Sequence, residues 1–440
     1  MAEQMKPSGI DWIGDIPKSW KVTRLQTLFD QVKDKNSGTK EKNLLSLSYG
    51  KIVKKDIEGA FGLIPESFDT YNIIKKNDIV LRLTDMQNDQ VSLRTGLVRE
   101  EKGIITSAYV TIRLKCGSPS YYHWYLYAFD TSKQIYAFGQ GVRQSLTFEE
   151  LKKMLILLPS PKEQQAIADF LDEECAQIDS IATDLEKQIA LLQQYKKSLI
   201  TEIVTKGLDK SVPMKDSGVE WTSKIPCHWE IKRFKYLCEY ITDGSHFSPE
   251  TADEGYPYIT AADVKGVGLD YDAAKKISQQ DFISLQKAGC QPRKGDVLLV
   301  KDGATTGRIG MVTSEKPCVV LSSVAILRAP DNMDARYLRY LMESDFVQAQ
   351  IQASMAGSAM PRTVLSKIIN YWGITCPKEE QKEICDFLDR KCGYIETVIE
   401  TKQVQQSIIQ QHKKSLIYEY VTGKKTSEGG AVRWPSKQGN

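Results

Sequence analysis

Basic side chains stand at the ends of two apolar runs that are typical of β-strands. Arg82 and Lys301 each follow such a run directly, and Arg94 and Arg308 lie in the loops that come next. A basic side chain at a strand end, beside glycines that let another backbone approach, suits contact with a phosphate or a base edge. The same charges equally fit a solvated surface, and the sequence leaves both interpretations open.

Three further groups of polar residues could bind the same kind of ligand. The segment 46–55 combines aromatic and basic side chains, namely Tyr49, Lys51 and Lys54. Arg143 and Arg362 lie in glycine-containing loops, and each precedes a long helical pattern. Either arginine could reach a nucleic acid or could cap local structure, whereas the 46–55 segment is predicted to face a nucleic acid.

Sequence motifs that carry catalysis are absent. The chain has no GxGxxG, no GxxxxGK[ST], no Asn-Pro-Pro-Tyr-like motif for adenine methylation and no HExxH, and its four histidines are scattered. Asp169 and Asp172 stand three residues apart near a helix start, and so do Asp386 and Asp389. Acidic side chains at that place interact favourably with the helix dipole, so this role is predicted rather than that of a catalytic carboxylate pair. The sequence predicts a non-catalytic chain that has no cofactor and no metal site of its own.

The chain repeats two of its motifs. Ser8-Gly9-Ile10-Asp11-Trp12 returns as Ser217-Gly218-Val219-Glu220-Trp221, a shift of 209 residues. The helix start Asp169-Phe170-Leu171-Asp172 returns as Asp386-Phe387-Leu388-Asp389, a shift of 217 residues. Similarity at a fixed period of this length predicts two similar halves in one chain. The tryptophans of the openings, Trp12, Trp20, Trp221 and Trp229, are predicted to pack inside each half.

Each half ends in a long helical pattern. Ser160 and Glu163 predict a capping box, and Gly207 predicts the end of a first helix of about 43 residues, roughly 64 Å long. Apolar residues seven apart predict a coiled-coil seam: Ile178, Leu185, Leu192 and Leu199, matched by Ile395, Ile409 and Leu416. Lys402 replaces an apolar residue, so the second seam is weaker in its middle.

Two such helices in one chain can bury their seams against each other. The predicted fold is α+β, with two β-rich globular domains separated by two long antiparallel helices that form a coiled coil with pseudo-twofold symmetry. The predicted boundaries are listed in chain order: first β-rich domain 1–157, first helix 158–208, second β-rich domain 209–374, second helix 375–424 and a disordered tail 425–440.

Bulk properties restrict the class of protein. The formal net charge of +3 neither demands nor excludes a nucleic-acid partner, because local basic surface decides phosphate binding. No apolar run approaches the roughly 18 residues that span a bilayer, and the first residues lack the apolar core of a signal peptide. The sequence predicts a cytoplasmic protein that has no membrane partner.

The repeated openings, the two Asp-Phe-Leu-Asp helix starts and the two Lys-Lys-Ser-Leu-Ile helix ends resemble the specificity subunit of type I DNA restriction–modification systems. The resemblance covers nearly the whole chain, and it implies that each β-rich domain is a target-recognition domain for one half of an asymmetric, bipartite DNA site. Asp243-Gly244-Ser245-His246 resembles a recurrent loop of this family, which adds Ser245 and His246 to the candidate DNA contacts.

The resemblance also implies partners. It implies double-stranded DNA, two copies of a methyltransferase (modification) subunit bound to the helices, and up to two restriction subunits as optional partners. S-adenosylmethionine, and ATP and Mg for restriction, would belong to those subunits, and the paired helices would set the gap between the half-sites.

Two alternatives from other classes stay open. A non-enzymatic coiled-coil adaptor with two protein-binding heads would have similar helices, and absence of DNA binding would favour it. A nuclease or methyltransferase acting alone would have turnover as a purified chain, and the missing cofactor motifs argue against it.

Overall fold

The computed structural model describes residues 4–55, 67–84, 93–137, 145–247, 249–355 and 361–425. Arg143 and nearly all of the predicted tail lie outside these residues. The chain forms two compact units, the first made of Met1–Leu185 and Val404–Asn440 and the second of Glu186–Gln403. Each unit combines one β-rich segment with parts of both long helices, whereas the predicted boundaries follow the helix ends.

The first unit is built around a four-stranded antiparallel sheet. Its described strands are β1 (Met5–Pro7), β2 (Asp15–Pro17), β3 (Lys21–Arg24), β4 (Phe29–Gln31), β5 (Leu45–Ser48), β6 (Lys51–Lys54), β7 (Asn72–Lys75), β8 (Ile79–Leu81), β9 (Thr95–Leu97), β10 (Lys102–Ile105), β11 (Val110–Leu114) and β12 (Leu155–Leu158). Its short helices are α1 (Leu25–Leu28), α2 (Pro119–Thr131) and α3 (Phe148–Leu151), with a 3₁₀ turn at Gln134–Ala137. The sheet order is β4-β11-β8-β9, and the aromatic helix α2 packs into the same core.

The second unit repeats this plan. Its described strands are β13 (Met214–Val219), β14 (Thr222–Pro226), β15 (Glu230–Arg233), β16 (Tyr240–Asp243), β17 (Thr251–Ala252), β18 (Tyr256–Ile259), β19 (Lys275–Ile277), β20 (Val297–Val300), β21 (Ile309–Met311), β22 (Val319–Val320), β23 (Val324–Arg328) and β24 (Trp372–Thr375). Its short helices are α5 (Phe234–Leu237), α6 (Gln279–Lys287), α7 (Ala335–Glu343), α8 (Asp345–Ser354) and α9 (Leu365–Ile368). The sheet order β16-β23-β20-β21 is that of the first unit.

The two sheets also share their register. Val80 of β8 pairs with Gly96 of β9, and Leu298 of β20 pairs with Gly310 of β21. The halves differ in what is added to the sheet: the first carries the hairpin β5–β6 and the pair β7–β10, and the second carries a sheet of order β17-β19-β18-β22. The predicted α+β class and the two similar halves are therefore confirmed.

A buried aspartate precedes the central strand of each sheet, and an arginine from the neighbouring strand holds it. Arg113 donates through Nε and Nη2 to both carboxylate oxygens of Asp78, each at 2.7 Å. Arg328 donates to Asp296 in the same way, at 2.8 and 2.7 Å. These charge-assisted hydrogen bonds raise the pKa of Arg328 and fix the start of the strand that leads to Lys301.

The long helices begin and end at the signals in the sequence. Helix α4 (Pro161–Lys206) has 46 residues rather than the predicted 43 or so, and α10 (Lys378–Val421) has 44. The Ser160 N–H donates to Glu163 Oε2 at 2.9 Å, and the Glu163 N–H donates to Ser160 Oγ at 3.3 Å, which is the predicted capping box. Gly207 ends α4 with φ of +77°. Among the described helices, none is long and apolar enough to cross a membrane.

The predicted seam residues are unequally buried. Four are less than a tenth exposed, Ile178, Leu185, Ile395 and Leu416, and three are half-buried, Leu192, Leu199 and Ile409. Lys402, which replaces an apolar residue, is half-buried and donates from Nζ to Gln188 Oε1 at 2.6 Å. A polar contact therefore stands where the sequence predicts the weaker part of the seam.

Ion pairs join the two long helices inside each unit. In the first unit, Lys413 Nζ lies 2.6 Å from Asp179 Oδ1, and in the second unit Lys196 pairs with Glu396. The shift of 217 residues that relates the helix starts also relates Lys196 to Lys413 and Asp179 to Glu396. The repeat therefore extends to the contacts between the helices.

The two repeated motifs contact each other in both units. Trp20 donates from Nε1 to Glu163 Oε1 at 3.0 Å, and Trp229 donates to both oxygens of Glu380 at 3.1 Å. Both tryptophans are at most 3% exposed, so they pack as predicted. Although burial opposes it, the hydrogen bonds from Ser160 and Trp20 lower the pKa of Glu163, which keeps this acceptor ionised.

The second aspartate of each helix start holds the helix that follows the sheet. Asp172 accepts hydrogen bonds from Ser120 and Trp124 of α2, at 2.8 and 2.9 Å. Asp389 accepts one from Tyr340 of α7 at 2.6 Å. These carboxylates join each β-rich segment to its long helix, which gives them a structural role.

Candidate nucleic-acid interface

Three loops of the second unit bring together five of its polar side chains beside the ends of β16 and β20: Asp243, His246, Lys301, Asp302 and Arg362, here named the strand-exit cluster. Lys301 is only 2% exposed, and its Nζ lies 3.3 Å from Oδ2 of both Asp243 and Asp302. Arg362 Nε lies 2.9 Å from Asp302 Oδ1, and His246 Nε2 lies 3.5 Å from Asp243 Oδ2. The lysine is thus enclosed, whereas the arginine and histidine side chains are 60% and 70% exposed.

Backbone hydrogen bonds hold two of these loops together. The Gly303 N–H donates to the Pro361 carbonyl at 3.0 Å, and the Thr363 N–H donates to the Lys301 carbonyl at 2.9 Å. Gly303 has φ of +95°, a conformation that glycine adopts at little cost. The loop after β20 therefore fixes the position of the Arg362 backbone.

Ser245 shapes its loop and does not present its hydroxyl group. The residue is 6% exposed, and its Oγ accepts a hydrogen bond from the Phe247 N–H at 2.9 Å. This is the local serine turn that often bends a loop. The placement does not support a DNA contact by Ser245, while a contact by the exposed His246 stays a prediction.

The structure corrects the predicted match between Arg82 and Lys301. The Arg82 N–H donates to the Arg94 carbonyl, and the Val300 N–H donates to the Arg308 carbonyl in the equivalent place. Arg82 therefore matches Val300, and Lys301 stands one residue further on. Because successive residues of a strand point to opposite faces, this difference of one residue sends the two basic side chains to opposite sides. Arg82 is half-buried.

Arg94 and Arg308 occupy equivalent positions in different surroundings. Arg94 is fully buried, and its Nη1 donates to the carbonyls of Arg82 and Thr84 at 3.2 and 2.9 Å. Arg308 is exposed, and its Nη1 lies 3.4 Å from the Val264 carbonyl. We therefore assign Arg94 to the support of its loop rather than to DNA contact, which stays a prediction for Arg308.

The predicted 46–55 segment is the hairpin β5–β6. Tyr49 and Gly50 form its tip with φ of +47° and +76°, as a two-residue type I′ turn requires, and Tyr49 is 83% exposed. Lys51 Nζ lies 3.3 Å from Asp179 Oδ2 on α4, and Lys54 is exposed. Tyr49 and Lys54 are presented to solvent, and Lys51 contacts the helix with a side chain that is still 69% exposed.

Sequence reasoning did not identify Asp243 and Asp302 as members of the site. Asp243 ends β16 and Asp302 stands two residues after β20, and each is followed by a glycine; that shared Asp-Gly pattern at a strand end could have indicated them. Their carboxylates position Lys301 and Arg362, so the cluster contains its own counter-charges. Within the described ranges, no group of three or more His, Cys, Asp or Glu side chains is arranged to hold a metal ion.

Comparison with protein families identifies a repeated match. The family model described as type I restriction modification DNA specificity domain matches residues 17–191 and again residues 226–408, which together exceed half of the chain. Each match covers one β-rich segment and much of the long helix that follows it.

Individual relatives have low sequence identity to the chain but align with it over long stretches. The chain is 22% identical over 420 residues to the type I restriction enzyme MjaVIII specificity subunit of Methanocaldococcus jannaschii, and 93% of each chain is covered. It is 25% identical over 275 residues to the EcoBI specificity subunit of Escherichia coli, covering 60% of this chain and 56% of the relative. The same fold is found in a chain of a solved structure that concerns complex assembly and conformational transition of the type I R-M system. The TM-score is 0.68 at 14% identity, and the match covers 93% of this chain and 99% of that chain.

Proposed function

The chain belongs to the family of type I restriction–modification DNA specificity domains, and from this premise we propose that it reads a bipartite, asymmetric DNA site, one half-site with each β-rich domain. It is a specificity subunit with two target-recognition domains. The observation that carries the proposal is the double family match, one on each β-rich segment. An adaptor with two protein-binding heads is not favoured by it.

DNA readout in the second half is proposed to use the exposed edge of the strand-exit cluster. A guanidinium group can donate two parallel hydrogen bonds to O6 and N7 of guanine, and a carboxylate beside it limits its orientations. Arg362 has such a neighbouring carboxylate, because its Nε lies 2.9 Å from Asp302 Oδ1 while its side chain is 60% exposed. Lys301 is neutralised by two carboxylates and is proposed to stabilise the loops rather than to contact phosphate.

The two long helices are proposed to form an antiparallel coiled coil that sets the gap between the half-sites. Support comes from the heptad spacing of the seam and from the ion pairs Lys413–Asp179 and Lys196–Glu396. Half-sites about 34 Å apart face the same side of a duplex, so the spacer length would select the gap. The pseudo-twofold arrangement stays a prediction from the repeat.

The proposed partners are double-stranded DNA, two copies of a modification subunit and up to two restriction subunits. The support is the resemblance to specificity subunits of type I restriction enzymes. In this proposal the chain itself is non-catalytic and works in the cytoplasm. S-adenosylmethionine, ATP and Mg belong to the partner subunits, which carry out methylation and restriction.

Adenine methylation in cells tests the proposed function. Single-molecule sequencing would compare cells that carry this chain and its modification subunit with cells from which only this chain is deleted. We expect one bipartite motif to be methylated only when the chain is present. A motif that is methylated equally without the chain would overturn the proposal.

Arg362 offers a test of direct readout. We expect Arg362→Ala to weaken binding of the cognate duplex by about 1–3 kcal/mol, measured by fluorescence anisotropy at fixed salt. Arg362→Lys keeps the charge but loses the planar fork, so it should lose nearly as much if the residue reads a base and little if it contacts only phosphate. Wild-type affinity in both variants would remove Arg362 from the interface.

A further inference from the structure

An exposed phenylalanine stands beside the strand-exit cluster. Phe247 directly follows His246 in the chain and is 63% exposed. Single exposed apolar side chains are common in folded proteins, so this exposure has meaning only together with its surroundings. Those surroundings are a firmly held loop and a group of paired charges.

Hydrogen bonds fix the backbone of Phe247. Its N–H donates to Ser245 Oγ at 2.9 Å, and its carbonyl accepts from the same hydroxyl at 2.7 Å and from the Tyr258 hydroxyl at 3.3 Å. Tyr258 belongs to β18, so these bonds tie the loop after β16 to the sheet β17-β19-β18-β22 that only the second half carries.

The two residues before His246 are anchored to the same sheet. The Ser245 N–H donates to the Val320 carbonyl at 3.0 Å, and the Ser245 carbonyl accepts from the Ser322 N–H at 2.9 Å. A Cβ on Gly244 would overlap the Val320 carbonyl, so this close approach requires glycine. The phenyl ring is therefore presented on a fixed backbone, and covering it costs little backbone entropy.

The charges near the ring favour base edges over phosphates. Asp243 and Asp302 place two carboxylates in the cluster, and a carboxylate repels a phosphate but can accept a hydrogen bond from cytosine N4. Carboxylates beside the Arg362 guanidinium match the major groove, where bases present both donors and acceptors. The apolar group that bases present in this groove is the C5-methyl group of thymine, so an apolar ring beside these polar groups fits that methyl group.

The first unit has a polar residue at the corresponding place. Asp30 of β4 and Tyr240 of β16 stand opposite the equivalent arginines of the two sheets. Seven residues further along the chain, the first unit has Ser37 where the second unit has Phe247. A contact made by the ring would therefore belong to one half-site and not to the other.

We propose that Phe247 contacts the C5-methyl group of a thymine in the major groove and thereby selects thymine at one position of the half-site that the second domain reads. The fixed loop sets the position of the ring, and the neighbouring cluster reads adjacent base edges. The proposal rests on the proposed function and deepens it, because it assigns one residue to one kind of base.

Replacing thymine by deoxyuridine removes only this methyl group and keeps the pairing with adenine. The full-length chain, assembled with its modification subunit, would be titrated with cognate duplexes in which each thymine of both half-sites is replaced in turn, with fluorescence anisotropy at fixed salt as the readout. We expect one position at which the unmodified chain loses about fourfold in affinity, the value of burying one methyl group, and at which Phe247→Ala binds both duplexes equally. Phe247→Leu keeps an apolar side chain and should retain most of the preference.

Tyr236→Ala is the matched control, because it truncates an aromatic side chain of the same unit that is 71% exposed and lies outside the cluster. We expect this variant to keep the preference for thymine at the same position. If every thymine position keeps its loss in Phe247→Ala, the proposal is overturned; a uniform loss of affinity by that variant would then indicate a ring inserted between base pairs. If the unmodified complex binds the cognate duplex no better than a duplex with both half-sites scrambled, the proposed function itself fails.

Discussion

Replacing Asp296 by alanine is expected to lower the free energy of unfolding of the second unit by about 3 kcal/mol, because it breaks a buried ion pair. Asp296 is 1% exposed and accepts two hydrogen bonds from Arg328, together with one from the Arg293 N–H at 2.7 Å. Its removal leaves a half-buried guanidinium and a backbone donor without their acceptor, and the cost is mostly the desolvation of those groups. Urea unfolding followed by far-UV circular dichroism measures it.

Two further variants make the measurement specific. Asp272→Ala removes a fully exposed carboxylate of the same unit, and we expect its unfolding curve to coincide with that of the unmodified chain. The double variant Asp296→Ala, Arg328→Leu removes the stranded charge too, so it should recover part of the loss. Equal stability of Asp296→Ala and Asp272→Ala would show that the buried pair does not fix the strand.

The long helices could be predicted because their signals are local. The capping box at Ser160, the glycine at position 207 and the heptad spacing each depend on neighbouring residues, and the structure has the cap and the end where these signals place them. The polar contact of Lys402 with Gln188 likewise follows from one polar residue in an apolar register. The ion pairs between the helices recur because both halves carry a lysine and a carboxylate at equivalent positions.

The candidate site could be predicted only in part, because exposure is decided by tertiary contacts that no motif reports. Arg94 and Arg308 stand at the same register position, yet one is fully buried and the other is exposed. Whether Lys301 faces water depended on Asp243, a residue 58 positions earlier in the chain. The one-residue error between Arg82 and Lys301 arose because apolar runs do not fix strand register, which only the paired backbone does.

The structural differences between the two halves could not be predicted from the sequence repeat. Similar motifs at both helix starts predict similar frames, and the sheets agree in order and register. The segments between those motifs have little in common, and they form a hairpin in one half and a separate sheet in the other. The contrast comes from the inserted segments and not from the repeat.

Shortening both long helices by one heptad is expected to change the DNA gap while keeping both half-sites. Removing residues 185–191 and 401–407 deletes equal lengths between the ion pairs Asp179–Lys413 and Lys196–Glu396, so both pairs keep their register. Seven helical residues correspond to about 10.5 Å, or roughly three base pairs at about 3.4 Å each. Single-molecule methylation sequencing should therefore find the same half-sites with a gap about three base pairs shorter.

Deleting 185–191 alone is the matched control. One helix then becomes about 10.5 Å shorter than its partner, which places one of the two ion pairs out of register and mismatches the seam. We expect that variant to lose stability and to direct little methylation, so the result depends on matched length and not on the loss of residues. An unchanged gap in the doubly shortened chain, with folding confirmed by circular dichroism, would mean that the β-rich domains set the spacing through their own contacts with DNA. A shortened gap would assign the spacing to the helices, because the recognition loops are identical in both chains.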